Sequence, residues 1–471
     1  MILLSLMTGP AFAASVTLNP GDDVAALTSS MGPGDEIVFN GGTYTLESPL
    51  SWTGEGTESD PILISAAGSD EVILEGPGIN DYIVRISDSS YMEVTGLTLS
   101  ADPSNEDVQT GGFRVSGSNH ITLQDNELGD LSRTAIYLAG DNSAITIQDN
   151  HIFDATNASG IYAGCGDASC WLQDSEIVGN WIHDLPSDRG YGVAIDNGGQ
   201  NNQILDNVMY NLGYRGVLIN STEYGEPNVV EGNVMWGIAS IGLQLQGSGV
   251  VRNNVVFNVE GYGIYSQDSR DSLEALVISH NTVANTDDWG IYVQHWAGRP
   301  DMVLANNAVA NPTGKAFHAG EGEIDLDNYI SGNVLTGFVE GLDPLEGHFT
   351  AGSGFADFMD AAGWDFYPSG ASSLLGVADP AGDAWVPTLD FNGLERDGTA
   401  PDVGAYERNG SSNPGWAIQE GFKEFADDQT IDPGNQVGGC CERSKDAPSE
   451  DALFWLPLLG LGWSLRRRPR R

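Results

Sequence analysis

Four short stretches decide the fold: Ile147-Gln-Asp-Asn150-His-Ile152, Ile177-Val-Gly-Asn180-Trp-Ile182, Ile278-Ser-His-Asn281-Thr-Val283 and Leu304-Ala-Asn-Asn307-Ala-Val309. Each places one asparagine inside a short apolar frame. The asparagine recurs as a column, Asn126, Asn150, Asn180, Asn207, Asn233, Asn254, Asn281, Asn307 and Asn333, at spacings of 21 to 30 residues. A second column runs in step: Ala135, Gly160, Gly192, Gly216, Gly242, Gly263, Gly290 and Ala316. Each of its members opens an alternating strand such as Gly290-Ile-Tyr-Val-Gln294. Alternation with period two marks half-buried strands, and no helical periodicity intervenes. A strand–turn–strand unit repeated every two dozen or so residues predicts a β-solenoid of roughly ten or more coils. Its coils stack at about 4.8 Å. The asparagines are expected to stack as a ladder at a tight bend, and the glycines to serve where the chain turns tightly.

The N-terminal part fits the same plan. Pro33-Gly-Asp-Glu-Ile-Val-Phe39, Gly42-Thr-Tyr44, Gly56-Thr-Glu-Ser-Asp-Pro61-Ile-Leu-Ile64 and Val72-Ile-Leu-Glu-Gly76 read as early strands and turns. Together they resemble the opening of pectate-lyase-like β-helices, particularly proteins of the chondroitinase-B and alginate-lyase type. Residues 106–333 resemble the repeat region of that superfamily. The resemblance covers roughly residues 15–340 and implies an all-β, single-stranded right-handed parallel β-helix. It does not imply one reaction, because the same repeats serve lyases, hydrolases, epimerases and inert adhesins. The Gly-His-Gly and paired-Asp motifs of polygalacturonases, the Lys and Arg one coil apart of chondroitinase-B-type lyases, and the Asp-Pro-His motif of mannuronan epimerases do not occur.

The expected organisation has five parts. Residues 1–13, an apolar run ending in Ala11-Phe12-Ala13, read as a secretion signal. Residues 14–342 form the β-helix. Residues 343–407 lose the repeat and end in Arg396-Asp-Gly-Thr-Ala-Pro-Asp402-Val-Gly-Ala-Tyr-Glu407, which resembles the ending of many exported β-helix proteins. They are expected to cap the open coil end, where strand edges would otherwise stand unpaired. Residues 408–439 are polar and read as a flexible linker. Residues 440–471 carry Cys440-Cys441, an apolar run of 14 residues (452–465) and a terminal arginine cluster. That order resembles the MYXO-CTERM type of sorting tag. The resemblance implies a sorting or processing protease as partner, with Cys440 or Cys441 at the anchoring site, and an exported, surface-anchored location.

The chain of 471 residues holds 66 Asp+Glu against 19 Lys+Arg, a net charge of −47. Such a charge excludes nucleic acid as a partner, which needs many cationic phosphate contacts. It favours solubility and cation binding, so calcium is an expected cofactor. An acidic polymer would need a local basic patch or a bridging cation. Cys165 and Cys170, in Gly164-Cys-Gly-Asp-Ala-Ser-Cys170, are expected to pair as a small disulfide loop in an exported protein. A monomer is expected.

Outward residues of successive coils line up as strips along the axis. In the glycine-column strands the third-position strip reads Tyr137, Tyr162, Ala194, Leu218, Gln244, Tyr265, Tyr292, His318. The fifth-position strip includes Asp196, Asn220, Gln246, Gln267 and Gln294. Aromatic planes stack on sugar rings and amides bond hydroxyls, so an extended polysaccharide suits this face; tyrosine columns also stack for stability alone. Two clusters stand out. Lys315, His318, His295, Tyr292 and Tyr265, beside Asp268, Gln267, Gln294 and Trp289, contain the acid–base types that β-elimination from a uronate needs. Arg189, Tyr191, Arg215 and Asn220 could bind a carboxylate, and Asp196 a calcium ion. The expected function is an exported protein binding an extracellular polysaccharide, with a polysaccharide lyase as its possible activity. A surface adhesin or structural rod, and a glycoside hydrolase, are the alternatives. The hydrolase fits less well, because Asp196 and Asp268 stand three coils apart, about 14 Å by the coil rise, beyond the spacing of paired carboxylates.

Overall fold

A computed structural model describes residues 13–424, apart from 25–29, 103–106, 166–168, 197, 221–225, 270–272, 300, 321, 342–348 and 381–384. Most of the segment read as a signal (1–12), and residues 440–471, read as a sorting tag with Cys440 and Cys441, lie outside the described residues. The described chain is an all-β parallel solenoid with three strand ladders. The first takes one strand from each coil, from Ser15–Leu18 through Asn119–Gln124 to Tyr329–Ser331, thirteen in succession. The second follows the asparagine bend and includes His151–Phe153, Trp181–Leu185, Val208–Leu212, Val234–Ile238 and Val255–Val259. The third holds the glycine-column strands, from Leu50–Trp52 and Tyr82–Ser87 to Trp289–Val293. The pairings between coils are parallel, and their register is continuous in the central coils, with shifts around Lys315 where Ala308–Ala319 meets Asn333–Glu340.

The asparagine column forms the expected ladder. From Asn126 to Asn307, each backbone N–H and each side-chain Nδ2 donates to the Oδ1 of the asparagine one coil on, at 2.9–3.1 Å. The Nδ2 also donates to a strand carbonyl, as Asn207 does to Ile177 O at 2.9 Å. All nine side chains are buried. The residue before each asparagine adopts a left-handed backbone: Asp125, Asp149, Gly179, Asp206, Gly232, Asn253, His280, Asn306 and Gly332. This explains why Asp, Asn and Gly dominate that position. A second, shorter ladder lies at the other end of the first-ladder strands, where Ser118 N–H donates to Asn142 and Asn202 to Asn228.

The glycine column has a different cause from the one expected. None of Gly160, Gly192, Gly216, Gly242, Gly263 and Gly290 has a positive φ. A Cβ at each would instead meet the carbonyl oxygen of the column residue one coil on, at 2.5–2.9 Å. Close approach of backbones, not a turn, selects glycine here.

The region expected as a cap and linker behaves otherwise. Phe349–Ala351 adds one more strand beside Asn333–Leu335. Beyond it the chain lies against the side of the second ladder. Phe366 packs on Phe257 at 4.9 Å and Trp364 on Trp236 at 5.1 Å. Residues 408–424, read as linker, are also packed: Trp416 and Ile418 are buried, and buried Lys423 pairs with Asp206 at 2.7 Å. Much of the docking uses the left-handed column. Arg396 donates to Asn253 (2.8 Å) and lies 3.5 Å from Glu407, while Asp379 N–H donates to Asn306 (2.7 Å). Polar composition suggests a linker, but a few anchors in an otherwise largely exposed segment, Trp416, Ile418 and Lys423, hold it to the coils. Cys165 and Cys170 form the expected disulfide.

Two outcomes follow from these buried groups. Asn207→Ala strips partners from Asn180 N, Asn180 Nδ2 and Ile177 O. At the usual cost of stranded buried groups this lowers unfolding stability by about 3 kcal/mol or more, read from denaturant midpoints. His280 is fully buried with neither ring nitrogen bonded. Burial, then Arg396 and Arg252, hold its pKa well below the ordinary imidazole range. The unfolded imidazole titrates near ~6.5, so the folded state is disfavoured as pH falls below that value. His280→Asn, matching Asn253 and Asn306 on either side, should flatten the loss of stability below about pH 6.5. Parallel pH–stability curves for the two proteins would count against His280 as the source.

Candidate functional site

The outward strip of the third ladder is the candidate site. Its register runs Ser51, Arg85, Arg114, Tyr137, Tyr162, Ala194, Leu218, Gln244, Tyr265, Tyr292, His318 and Glu340. Strand alternation holds these side chains outward while Ile136, Ile161, Val217, Ile264 and Ile291 fill the core. Ala194, Leu218 and Gln244 are nevertheless buried, so the strip divides into two parts.

The N-terminal part is a cleft of about 720 Å³. Tyr82, Tyr137, Tyr162, Tyr191 and Tyr214 line it in sequence, with ring centres 4.9–6.4 Å apart. Arg133 lies over the Tyr82 ring at 5.1 Å, and Arg189 is an exposed part of the wall. Arg215 lies over the Tyr214 ring at 4.0 Å and donates to Tyr191 Oη at 3.2 Å. Burial raises the Tyr191 phenol to about 12, against the opposing pull of Arg215. Asp196, the expected calcium ligand, accepts from Tyr162 Oη (2.5 Å) and Asn220 Nδ2 (2.6 Å). Burial, and then this bond to a carboxylate, push the Tyr162 phenol far up, so it stays a donor. Calcium takes 6–8 oxygens. Among the described residues no three His, Cys, Asp or Glu side chains gather around a metal-sized space.

The C-terminal part brings together most of the residues expected to be catalytic. Tyr265, Tyr292 and His318 are in register, and the His318 ring lies 4.6 Å from Trp289 and 4.5 Å from Tyr292. His318 Nδ1 is 3.2 Å from a Glu340 oxygen. Tyr265 Oη lies 2.5 Å from Gln267 and 2.7 Å from Gln294, whose amide donates to Tyr292 Oη. Burial raises the Tyr265 phenol to about 12. His295 Nδ1 accepts from Asp268 N–H at 3.3 Å. Lys315 pairs with Asp288 at 2.7 Å, 5.1 Å from the Trp289 ring centre. The bond to Asp288 raises its pKa, so Lys315 is a held cation rather than a proton acceptor. Asp268 is engaged by Arg299 at 2.7 Å, which leaves it unsuited as one of a pair of hydrolytic carboxylates.

Sequence reasoning missed Arg85, Arg114, Arg133, Tyr82 and Arg299. The signal for Arg114 was present. Gly112 extends the glycine column by one coil, since its Cβ would meet the Ala135 carbonyl, and Arg114 then takes the third position. Arg133 and Arg189 come from connections of uneven length, where periodicity places nothing.

Fold and face define the chain as a right-handed parallel β-helix protein with an aromatic and basic strip on one ladder. The family model described as the right handed beta helix region matches residues 63–209 and 182–311, more than half of the chain, and the chain belongs to that family. Among solved structures it is similar to the pectate lyase Pel9A (14% identity, TM-score 0.55, covering 85% of this chain and 98% of that one). It is also similar to an alginate lyase from Paenibacillus sp. str. FPU-7 (16%, TM-score 0.46, 72% and 99%). A third is the A-module of the Azotobacter vinelandii mannuronan C-5 epimerase AlgE4 (16%, TM-score 0.47, 68% and 91%). At these identities the likeness concerns the fold. A search of curated proteins gives no match.

Tyr162→Phe removes the hydroxyl donor to Asp196. A hydrogen bond to a charged acceptor contributes about 2 kcal/mol, and the variant should lose that much in denaturant unfolding.

Proposed function

We propose that the chain binds an anionic polysaccharide along the third-ladder strip, with the cleft between Tyr82 and Tyr214 as the principal site. One observation carries this reading. In a chain with 19 Lys+Arg against 66 Asp+Glu, five arginines (Arg85, Arg114, Arg133, Arg189 and Arg215) line one face beside five tyrosines. Guanidinium groups pair with carboxylate or sulfate, and phenol faces stack on sugar rings. Among the described residues, the surrounding negative field repels anionic polymers from the other faces, so charge favours this one. The names of the pectate and alginate lyases with this fold are consistent with such a ligand.

Cleavage by β-elimination is a second reading, favoured by the Trp289, Tyr292, Lys315 and His318 cluster. There Lys315 would neutralise a uronate carboxylate, and a phenol or imidazole would move the proton. Export and surface anchoring through residues 1–13 and 440–471 belong to the same proposal, and fractionation of cells producing the chain would locate it.

The test titrates the full chain with alginate, polygalacturonate, chondroitin sulfate and a neutral glycan, with calcium and with chelator. We expect binding to at least one anionic polymer, falling steeply with salt, and none to the neutral glycan. Arg133→Ala with Arg189→Ala should raise Kd at least tenfold, about 1.4 kcal/mol. Equal affinity in the double variant would overturn the cleft as the site. Ultraviolet absorbance from unsaturated uronates would establish the lyase, and its loss in His318→Ala would assign the second cluster. Silence with binding intact would leave a binding protein.

A further inference from the structure

The second-ladder flank carries a group of side chains that neither the core nor the glycan proposal uses. His151 and Trp181 are register partners on neighbouring coils, as are Phe153 and His183. The two histidines therefore meet on the diagonal, with His151 Nε2 2.9 Å from His183 Nε2. Among the described residues this is the only pair of imidazoles in hydrogen-bond contact. Both rings are held. His151 stacks on Trp181 at 4.0 Å and an interplanar angle of 7°, and His183 stacks on Tyr210 at 4.8 Å and 4°. Neither is sealed, since the side chains keep 21% and 12% of their exposure.

Protonation is fixed by the neighbours. His183 Nδ1 lies 2.7 Å from the Asp184 carboxylate, which only accepts. The proton of His183 therefore sits on Nδ1, and Nε2 presents its lone pair. This is the arrangement in which a carboxylate orients a metal-binding imidazole. His151 must then donate its Nε2 proton to His183, a proton that a metal ion can displace. Glu127 stands 3.7 Å from His151 Nδ1, ready to take up the shifted tautomer. Asp154 adds a third carboxylate close to His183.

We propose that His151 and His183 form a binding site for a divalent transition metal of tetragonal preference, Cu²⁺ or Ni²⁺, bridging two coils of the solenoid. Two nitrogens 2.9 Å apart, each about 2.05 Å from one ion, subtend an angle near 90°. That is a cis pair of a square or octahedral set, whereas tetrahedral Zn²⁺ would need the nitrogens roughly 3.3 Å apart. Waters complete the set, beside the Phe422 ring that packs against His151 and Trp181. Glu127, Asp154 and Asp184 supply opposite charge around the ion without entering its first sphere. The site is independent of the glycan proposal, being on another ladder.

The test uses the full chain without an affinity tag. Calorimetry with NiCl₂ should show one ion per chain, and binding should raise the melting temperature as ligation to the folded state requires. His151→Gln and His183→Gln should each weaken Ni²⁺ binding at least thirtyfold. Asp184→Ala, which does not ligate, should weaken it about tenfold through loss of orientation. Equal Ni²⁺ affinity in both histidine variants, or no binding by the parent at millimolar Ni²⁺, would overturn the site. Zn²⁺ binding tenfold tighter than Ni²⁺ would overturn the geometry. Should a histidine variant fail to fold, electron paramagnetic resonance of the parent with one equivalent of Cu²⁺ decides: a tetragonal signal split by two nitrogens supports the site, and fewer than two overturns it.

Discussion

One shared acceptor holds the solenoid together. At each asparagine bend a single Oδ1 takes both the backbone N–H and the side-chain Nδ2 of the coil before it. The bend is dry, so neither donor has water as an alternative partner. A slip of one residue between coils would break both bonds and turn every strand residue to the wrong face. The ladder therefore fixes the register on which all else depends. Core leucines and isoleucines stack only because of it, and outward side chains become continuous strips only because of it.

How much of this was legible in the sequence depends on whether a feature repeats. The asparagine column, the alternating strands and the strip from Tyr137 to His318 all recur with the coil, and periodicity places them. Arg133 and Arg189 do not recur, and their position beside the tyrosines emerges only from folded connections. Residues 408–424 show the opposite difficulty. Their composition suits a solvated linker, but Lys423 and the neighbouring Trp416 and Ile418 are spent on the flank of the coils. Composition reports how polar a segment is, not whether its partners are water or protein. The same gap affects Lys315: its place in the Tyr265–His318 cluster suggested acid–base chemistry, while its contact with Asp288 shows a held charge.

The candidate site reflects a separation of labour by ladder. The third ladder faces solvent with arginines and tyrosines. The second is covered over much of its length by the chain's own C-terminal segment. Between the two parts of the third-ladder strip, Ala194, Leu218 and Gln244 are shielded. A polymer spanning both parts would cross about four coils, near 19 Å by the coil rise. Against a charge of −47, the arginine face is the approach that electrostatics favours for an anionic polymer among the described residues.

The C-terminal segment changes how this molecule can come apart. A stack of coils is close to one-dimensional: each coil touches only its neighbours, so an end can fray one step at a time. The bonds from Lys423 to Asp206, from Arg396 to Asn253 and from Asp379 to Asn306 tie coils across a hundred residues into one strap. No coil under the strap can peel away without releasing it, and releasing it uncovers Trp236 and Phe257. The strapped coils thus melt as a block, while the coils before residue 150 keep the step-by-step freedom of an ordinary solenoid. The molecule behaves as a stiff handle joined to a more yielding tip.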